Sequence, residues 1–187
     1  MNPLEILARH HDPAGPTFEI LVLHSTLVAR KAAEIARGYV KHNPEESPDL
    51  GFLREAALLH DIGIGLCAAP ELHCDGTEPY LCHGILGRRL LEEEGLPLHA
   101  LVCERHTGAG ITSEEVREGG LPLPERDYLP VSLEEKIICV ADKFYSKKPV
   151  KLWEEKKPRA IARTMDRWGP RVRERWDELA AAFLVDG

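Results

Sequence analysis

The chain has 187 residues, of which 43% are hydrophobic and 29% are charged, and its formal net charge is −7. This length and composition are typical of a single globular domain with a substantial core. No apolar run reaches the length of a membrane span, and the first residues lack the basic and apolar stretches of a secretion signal. We therefore expect a cytoplasmic protein without a membrane partner. The acidic balance makes nucleic acid an unexpected partner, and the oligomeric state stays open.

The charges are unevenly distributed, because half of the 24 lysine and arginine residues fall between residues 143 and 175. A basic segment in an acidic protein can attract a phosphorylated ligand locally. The same pattern is also typical of solvated helices with surface ion pairs, which contribute little to stability. The five cysteines show no CxxC spacing, so we expect buried thiols rather than disulfides or a structural zinc site.

Helical periodicity is the main pattern in the sequence, and no convincing strand alternation accompanies it. The first long helix is predicted over 18–41, with Ile20, His24 and Leu27 on its apolar face. A second helix is predicted over 50–61, and the glycines that follow it are typical of a helix end. An all-α chain is therefore expected.

The rest of the chain also divides into helices at its prolines and glycines. Helices are predicted over 80–94, 97–106, 132–145, 158–168 and 170–184. Ser132 and Glu135 form a capping box at the start of the fifth helix of the chain. The proline-containing residues 119–130 before it are predicted to form an ordered loop.

The five helices predicted between residues 18 and 145 all carry histidine or aspartate where an apolar residue is expected. These residues are His24, His60, Asp61, His83, His106 and Asp142. Buried imidazoles without a cation would leave ring nitrogens unsatisfied, and a divalent metal would bind them together with the two carboxylates. We therefore expect one or two divalent ions, drawn from Fe, Mn, Ni, Co, Zn and Mg.

The remaining histidines carry weaker patterns. His73 lies on the loop after the second helix, which could cover the cluster, so it is a candidate for substrate contact. His10 and His11 precede the first predicted helix, His42 precedes a loop, and His99 lies in the first turn of its helix. These four are weaker candidates for the site.

The order of the cluster residues along the chain carries a resemblance. His24, then His60 and Asp61, then Asp142 resembles the HD-domain superfamily of metal-dependent phosphohydrolases. The letters "HDIG" at 60–63 resemble its HDIG subset, and "HSTLVARKAAEIA" resembles the first motif of that superfamily. The insertion of two further histidines before the last aspartate is similar to members with two metals.

The resemblance implies a fold and a metal assignment. The fold would be an all-α HD-domain bundle with the metal site between helices, as a single domain over 1–187. Its core would lie at about 18–148, and basic C-terminal helices would follow at about 149–187. One metal would be held by His24, His60, Asp61 and Asp142. Asp61 would bridge to a second metal, completed by His83 and His106.

The resemblance also implies an activity. It is the hydrolysis of a phosphate ester or anhydride, with a nucleotide as the expected substrate, by attack of a metal-bound hydroxide. Asp61 would be catalytic as the bridging ligand, and Arg105 and Lys143 would bind phosphate oxygens. Lys31, on the first helix, is a further candidate for phosphate binding. For all three basic residues, an ordinary surface position is the more common case.

Two other interpretations stay open. One is a regulatory module that binds metal and nucleotide without catalysis, and the other is a di-iron oxygenase on the same scaffold. Cyclic-dinucleotide phosphodiesterase activity is not expected, because those relatives carry lysine directly after HDIG and a downstream Gly-Tyr-Pro motif. This chain has Ile64 at the first position and lacks the tripeptide.

Overall fold

The structure is a computed structural model that describes residues 1–184. This part of the chain forms nine α-helices. They are α1 (Pro3–His10), α2 (Pro16–His42), α3 (Leu50–Leu59), α4 (His83–Glu93), α5 (Pro97–Arg105), α6 (Ser113–Gly119), α7 (Leu133–Asp142), α8 (Pro158–Asp166) and α9 (Pro170–Phe183). The prediction of an all-α fold is confirmed. Residues 185–187, which end the expected basic segment, lie outside the described residues.

The segment between α3 and α4 has short elements only. Two-residue strands, β1 (Ala68–Ala69) and β2 (Cys74–Asp75), pair antiparallel. Single 3₁₀ turns are formed by Ile62–Leu66, Pro70–Leu72 and Tyr80–Cys82. This segment leads the chain from the His60–Asp61 pair to His83, which begins α4.

Two short helices, α1 and α6, were not predicted from the sequence. The side chain of Asn2 caps α1 by accepting a hydrogen bond from the Leu4 N–H at 3.2 Å, and Leu7 is buried. Thr112 and Glu115 form a capping box at the start of α6. Both helices are too short for a periodic pattern to predict them, so their caps and tertiary contacts determine them.

Apolar residues form two neighbouring core clusters. One holds Leu27 and Val28 of α2 together with the buried face of α7. The other holds Ile20 and Leu21 of α2 together with residues of α1, α4 and α5. His24 therefore lies on α2 at the boundary between the two clusters, which is where the polar residues meet.

Glycines allow the chain after α3 to lie against α4. A Cβ atom at Gly63 would lie 2.2 Å from the His83 carbonyl oxygen and 2.3 Å from the Gly87 nitrogen. A Cβ atom at Gly84 would lie 2.7 Å from the Cys103 carbonyl oxygen on α5. These backbone approaches require glycine. They bring the start of α4 close to the Ile62–Leu66 turn and to the end of α5.

The two C-terminal helices fold back onto the first core cluster. Ile161 and Met165 of α8 and Trp176 and Phe183 of α9 are buried against residues of α2 and α7. Apolar burial of this kind contributes on the order of 1.5–3 kcal/mol for each large side chain. Helices α8 and α9 are therefore packed elements and not solvated appendages.

All five cysteines are free and buried, as predicted from their spacing. None of the helices within residues 1–184 combines the length and the apolar character that a membrane span needs.

Replacing Gly63 with alanine tests the close packing of the chain against α4. Because backbone atoms occupy the position of the added methyl group, we expect the free energy of unfolding to fall by about 3 kcal/mol or more. Gly51→Ala, at an exposed position in the first turn of α3, is the control and should change stability by less than about 1 kcal/mol. Denaturant unfolding measures both, and a Gly63→Ala variant as stable as the wild type would contradict the packing.

Candidate metal centre

The structure brings all six predicted ligand residues into one buried cluster. His24 lies in the middle of α2, His60 and Asp61 follow α3, His83 begins α4, His106 follows α5, and Asp142 ends α7. Each is at most 7% exposed. The cluster therefore lies between helices, as expected.

The six residues form two groups that share Asp61. His24, His60, Asp61 and Asp142 each offer one ligand atom within 4.8 Å of the others, and so do Asp61, His83 and His106. The Oδ2 atom of Asp61 lies 3.3 Å from His24 Nε2 and 3.1 Å from His60 Nε2. Its Oδ1 atom lies 3.4 Å from His83 Nε2 and 3.3 Å from His106 Nε2. Each carboxylate oxygen thus faces a different pair of imidazoles.

Backbone carbonyls orient three of the four imidazoles. In each case Nδ1 lies 2.7–2.8 Å from the carbonyl oxygen three residues earlier: His60 with Ala57, His83 with Tyr80, and His106 with Cys103. A carbonyl oxygen only accepts, so Nδ1 carries the proton and donates it. In the neutral ring, Nε2 then presents a lone pair to the cluster. This is the arrangement that metal-binding histidines use.

The unpaired atoms of the cluster fit a divalent cation. His60 Nε2 and Asp61 Oδ1 are buried without a hydrogen bond. The Nε2 atoms of His83 and His106 lie 3.0 Å apart, so two lone pairs face each other when both rings are neutral. Burying such groups without a partner is costly. Imidazole and carboxylate together suit a divalent transition ion, which would provide the missing partner.

The two groups differ in their electrostatics. Burial alone would lower the pKa of His60, but the carboxylates of Asp61 and Asp142 raise it to about 9. Burial and the adjacent His106 lower the pKa of His83 to about 3. The group around His60 therefore holds a proton at neutral pH when no cation is bound, and a metal that binds there must displace it.

Lysines compensate the two carboxylates. Lys143 Nζ donates to Asp142 Oδ2 at 2.6 Å and to the His106 carbonyl oxygen at 3.1 Å. Lys147 Nζ lies 2.9 Å from Asp61 Oδ2. Although burial would raise the pKa of Asp61, the neighbouring His60 and Lys147 hold it well below its usual range. Both carboxylates are thus anionic.

Lys147 was not predicted from the sequence. It follows α7 in the loop "FYSKKP", and its only signal is its position five residues after Asp142. No local motif distinguishes it from its neighbour Lys148. Its approach to Asp61 depends on how the chain turns after α7.

The other polar candidates lie elsewhere. Arg105 donates to both carboxylate oxygens of Glu135, at 3.1 and 3.2 Å. Lys31 pairs with Glu34 and Glu155, at 2.9 and 2.7 Å. The structure therefore does not bring Arg105 or Lys31 to the cluster.

His73 is also away from the cluster. It is exposed and has a left-handed backbone, with φ of 59°. It borders a separate cavity near the end of α1, together with His10 and His11. The four histidines given little weight have other partners: His10 Nε2 contacts Glu94, and His11 Nε2 donates to the Ile62 carbonyl oxygen. His99 packs against the ring of Phe52, and His42 ends α2.

The cluster opens onto a cavity of about 530 Å³. His83, His106 and Asp142 line its floor, and four lysines line its walls. The lysines are Lys143, Lys147, Lys148 and Lys156. Such a volume is within the range of small-molecule sites, and its charge favours an anionic ligand.

A family model matches the part of the chain that carries this cluster. The model of the HD domain matches residues 21–146, which include all six cluster residues. The chain belongs to the HD domain family. The resemblance drawn from the order of histidines and aspartates is therefore confirmed. The HD domain spans α2 to α7, and helices α8 and α9 follow it.

Several curated proteins are similar to this HD domain protein. An uncharacterized protein of Methanocaldococcus jannaschii is 42% identical over 125 residues, which are 66% of this chain and 65% of the relative. A tRNA (cytidine(56)-2'-O)-methyltransferase of Picrophilus torridus is 38% identical over 99 residues, or 52% of this chain and 25% of the relative. The protein of the same name in Thermoplasma volcanium is 31% identical over 129 residues, or 68% of this chain and 32% of the relative. The chain thus spans less than two thirds of each relative. No solved structure is significantly similar to it.

Metal stoichiometry tests the two groups. We expect the wild type to retain two divalent ions per chain after loading with Mn²⁺ and dialysis, measured by elemental analysis. Asp61→Ala should lose both, because Asp61 belongs to both groups, whereas His83→Ala should lose one. His73→Ala, a histidine outside the cluster, is the control and should retain both. A His83→Ala variant with two ions would contradict the second group.

Proposed function

We propose that this HD domain protein is a metal-dependent phosphohydrolase that cleaves a phosphate ester or anhydride of a nucleotide. The observation that carries the proposal is the shared carboxylate of Asp61, which joins two ligand groups at the floor of a lysine-lined cavity. Bridging carboxylates are a usual way to hold two cations close enough to act on one phosphate. The membership of the HD domain family supports the same reaction class.

The ligand groups and the lysines divide the work in this proposal. His24, His60, Asp61 and Asp142 would hold one ion, and Asp61, His83 and His106 would hold the other. Bound divalent ions would supply Lewis acidity and lower the pKa of a coordinated water. The ammonium groups of Lys143 and Lys147, already beside Asp142 and Asp61, would attract the phosphate and offset the charge that develops on its oxygens.

The lysines favour this reaction over an oxygenase. Four ammonium groups on one cavity provide an environment for a multiply charged anion, whereas activation of oxygen needs no such charge. The names of two relatives add support for a nucleotide, because both are enzymes of tRNA. Methyl transfer itself is not assigned to this chain, since the matched segment covers only 25% and 32% of those proteins.

Turnover distinguishes this enzyme from a module that only binds metal and nucleotide. We expect phosphate release from at least one member of a panel of nucleotides and simple phosphate esters, supplied with Mn, Co, Ni, Fe or Mg. Asp61→Asn keeps the side-chain shape but removes the charge that attracts both cations, so the rate should fall about 100-fold or more.

Asp75→Asn is the matched control, because Asp75 is an exposed carboxylate outside the cluster. It should hydrolyse the substrate at the wild-type rate, and circular dichroism should show that both variants remain helical. If the wild type binds metal yet cleaves nothing in the panel, the hydrolase proposal is abandoned for the binding module.

Replacing Lys147 separates its effects on the metal and on the substrate. Lys147→Ala removes a cation 2.9 Å from Asp61, so divalent ions should bind more tightly. The same change should lower kcat/KM about tenfold or more, because a charged phosphate contact is lost. Lys147→Arg should recover part of the activity. Titration of metal and steady-state kinetics measure the two effects. An increase in both the metal affinity and kcat/KM would contradict the proposed role.

A further inference from the structure

The turn between α8 and α9 places an exposed aromatic side chain at the rim of the cavity. Trp168 is 55% exposed, whereas Trp176 on α9 is 1% exposed. Trp168 lines the cavity onto which the cluster opens, and it also borders an adjacent, mainly apolar space of about 570 Å³. A large aromatic ring left in water at a cavity mouth is an available contact surface for a ligand.

Trp168 is held in this position from two sides. Ile161 and Met165 anchor α8 in the core, and the backbone N–H of Trp168 donates to the Met165 carbonyl oxygen at 2.9 Å. Gly108, two residues after His106, has a left-handed backbone with φ of 63°, and a Cβ atom there would lie 3.5 Å from Trp168 Cζ3. The indole therefore lies against the segment that directly follows a cluster histidine.

Two of the four cavity lysines have no carboxylate partner in the described part of the chain. Lys143 and Lys147 pair with Asp142 and Asp61. Among residues 1–184, no ion pair is formed by Lys148 or Lys156, and the Lys156 ammonium donates only to the Tyr145 carbonyl oxygen, at 3.4 Å. Their charges are thus available to an anion in the cavity.

Together, the exposed indole and the two lysines suit a ligand that carries two different kinds of group. A ring surface suits a planar, aromatic group, and unpaired ammonium groups suit phosphate oxygens. A nucleotide has both groups on one molecule, at opposite ends of a sugar. Simple phosphate esters and inorganic phosphate would use the lysines and leave the indole bare.

We propose that Trp168 is the stacking surface for the base of the substrate nucleotide, and that Lys148 and Lys156 bind its phosphates. The choice of a phosphorylated ligand rests on the proposed function. These residues lie beyond the segment 21–146 that the HD domain model matches, so the part of the chain after the HD domain would determine which phosphate compound this chain accepts. Every base has a flat face that can stack on an aromatic side chain, so stacking on Trp168 would not select among the bases.

Binding of ligands that cannot be cleaved tests the proposal without requiring turnover. The probes are a phosphonate analogue of adenosine monophosphate, in which carbon replaces the ester oxygen, and inorganic phosphate. Both are titrated by calorimetry into the Mn²⁺-loaded protein. Trp168→Ala should weaken binding of the analogue about tenfold or more and leave the affinity for inorganic phosphate unchanged. Trp168→Phe should recover part of the loss.

Trp153→Ala is the matched control, because Trp153 is 70% exposed but does not line the cavity. It should bind both probes as the wild type does. The double variant Lys148→Ala, Lys156→Ala should weaken both probes, since both carry the phosphoryl group.

The outcomes separate the two proposals. If Trp168→Ala binds the analogue as tightly as the wild type, or loses the same factor for both probes, the stacking role is overturned. If the expected pattern is found but no nucleotide is hydrolysed, the stacking role stands and the phosphohydrolase function fails. If nucleotides are hydrolysed but Trp168→Ala has no effect on binding, the phosphohydrolase function stands and the stacking role is overturned.

Discussion

The buried lone pairs of the histidine cluster are the constraint on which the rest of the structure depends. Three rings donate Nδ1–H to their own helix or turn, so their Nε2 atoms converge on the carboxylate of Asp61. This convergence would be unfavourable in an ordinary core, because the Nε2 lone pairs of His83 and His106 face each other at 3.0 Å. The fold accepts it because the same atoms are arranged as a ligand set for cations. The helix ends and the glycine contacts serve this arrangement.

Asp61 connects the local structure to the chemistry. It lies two residues after the end of α3 and directly before the glycine-containing turn, so its side chain reaches both pairs of imidazoles at once. Gly63 lets that turn lie on the start of α4, which brings His83 into range. The lysines then bring positive charge to the cavity above the cluster, since each carboxylate has an ammonium partner and two further lysines form no ion pair within residues 1–184. The proposed phosphate ligand would match this charge.

The HD domain and the helices after it contribute different parts of the site. The matched segment supplies all six cluster residues and Lys143. Lys147, Lys148, Lys156 and Trp168 lie after residue 146, in the loop beyond α7 and in the turn after α8. The segment that matches the family model therefore forms the floor of the cavity, and the segment that follows forms much of its wall. In the proposed function, this division would let changes in the segment after residue 146 alter which phosphate compound binds above one metal centre.

The helices and the six cluster residues were predictable because both leave local signals. An apolar period of 3.6 residues marks a helix, and a histidine or aspartate on such a face is conspicuous when five helices repeat it. The short helices α1 and α6 left no such signal. The partners of the basic residues were decided only by tertiary structure. Arg105 adjoins His106 in sequence but pairs with Glu135, whereas Lys147 reaches Asp61 across 86 residues of chain. A long side chain can extend in many directions, and only the packed backbone determines which carboxylate or cavity it meets.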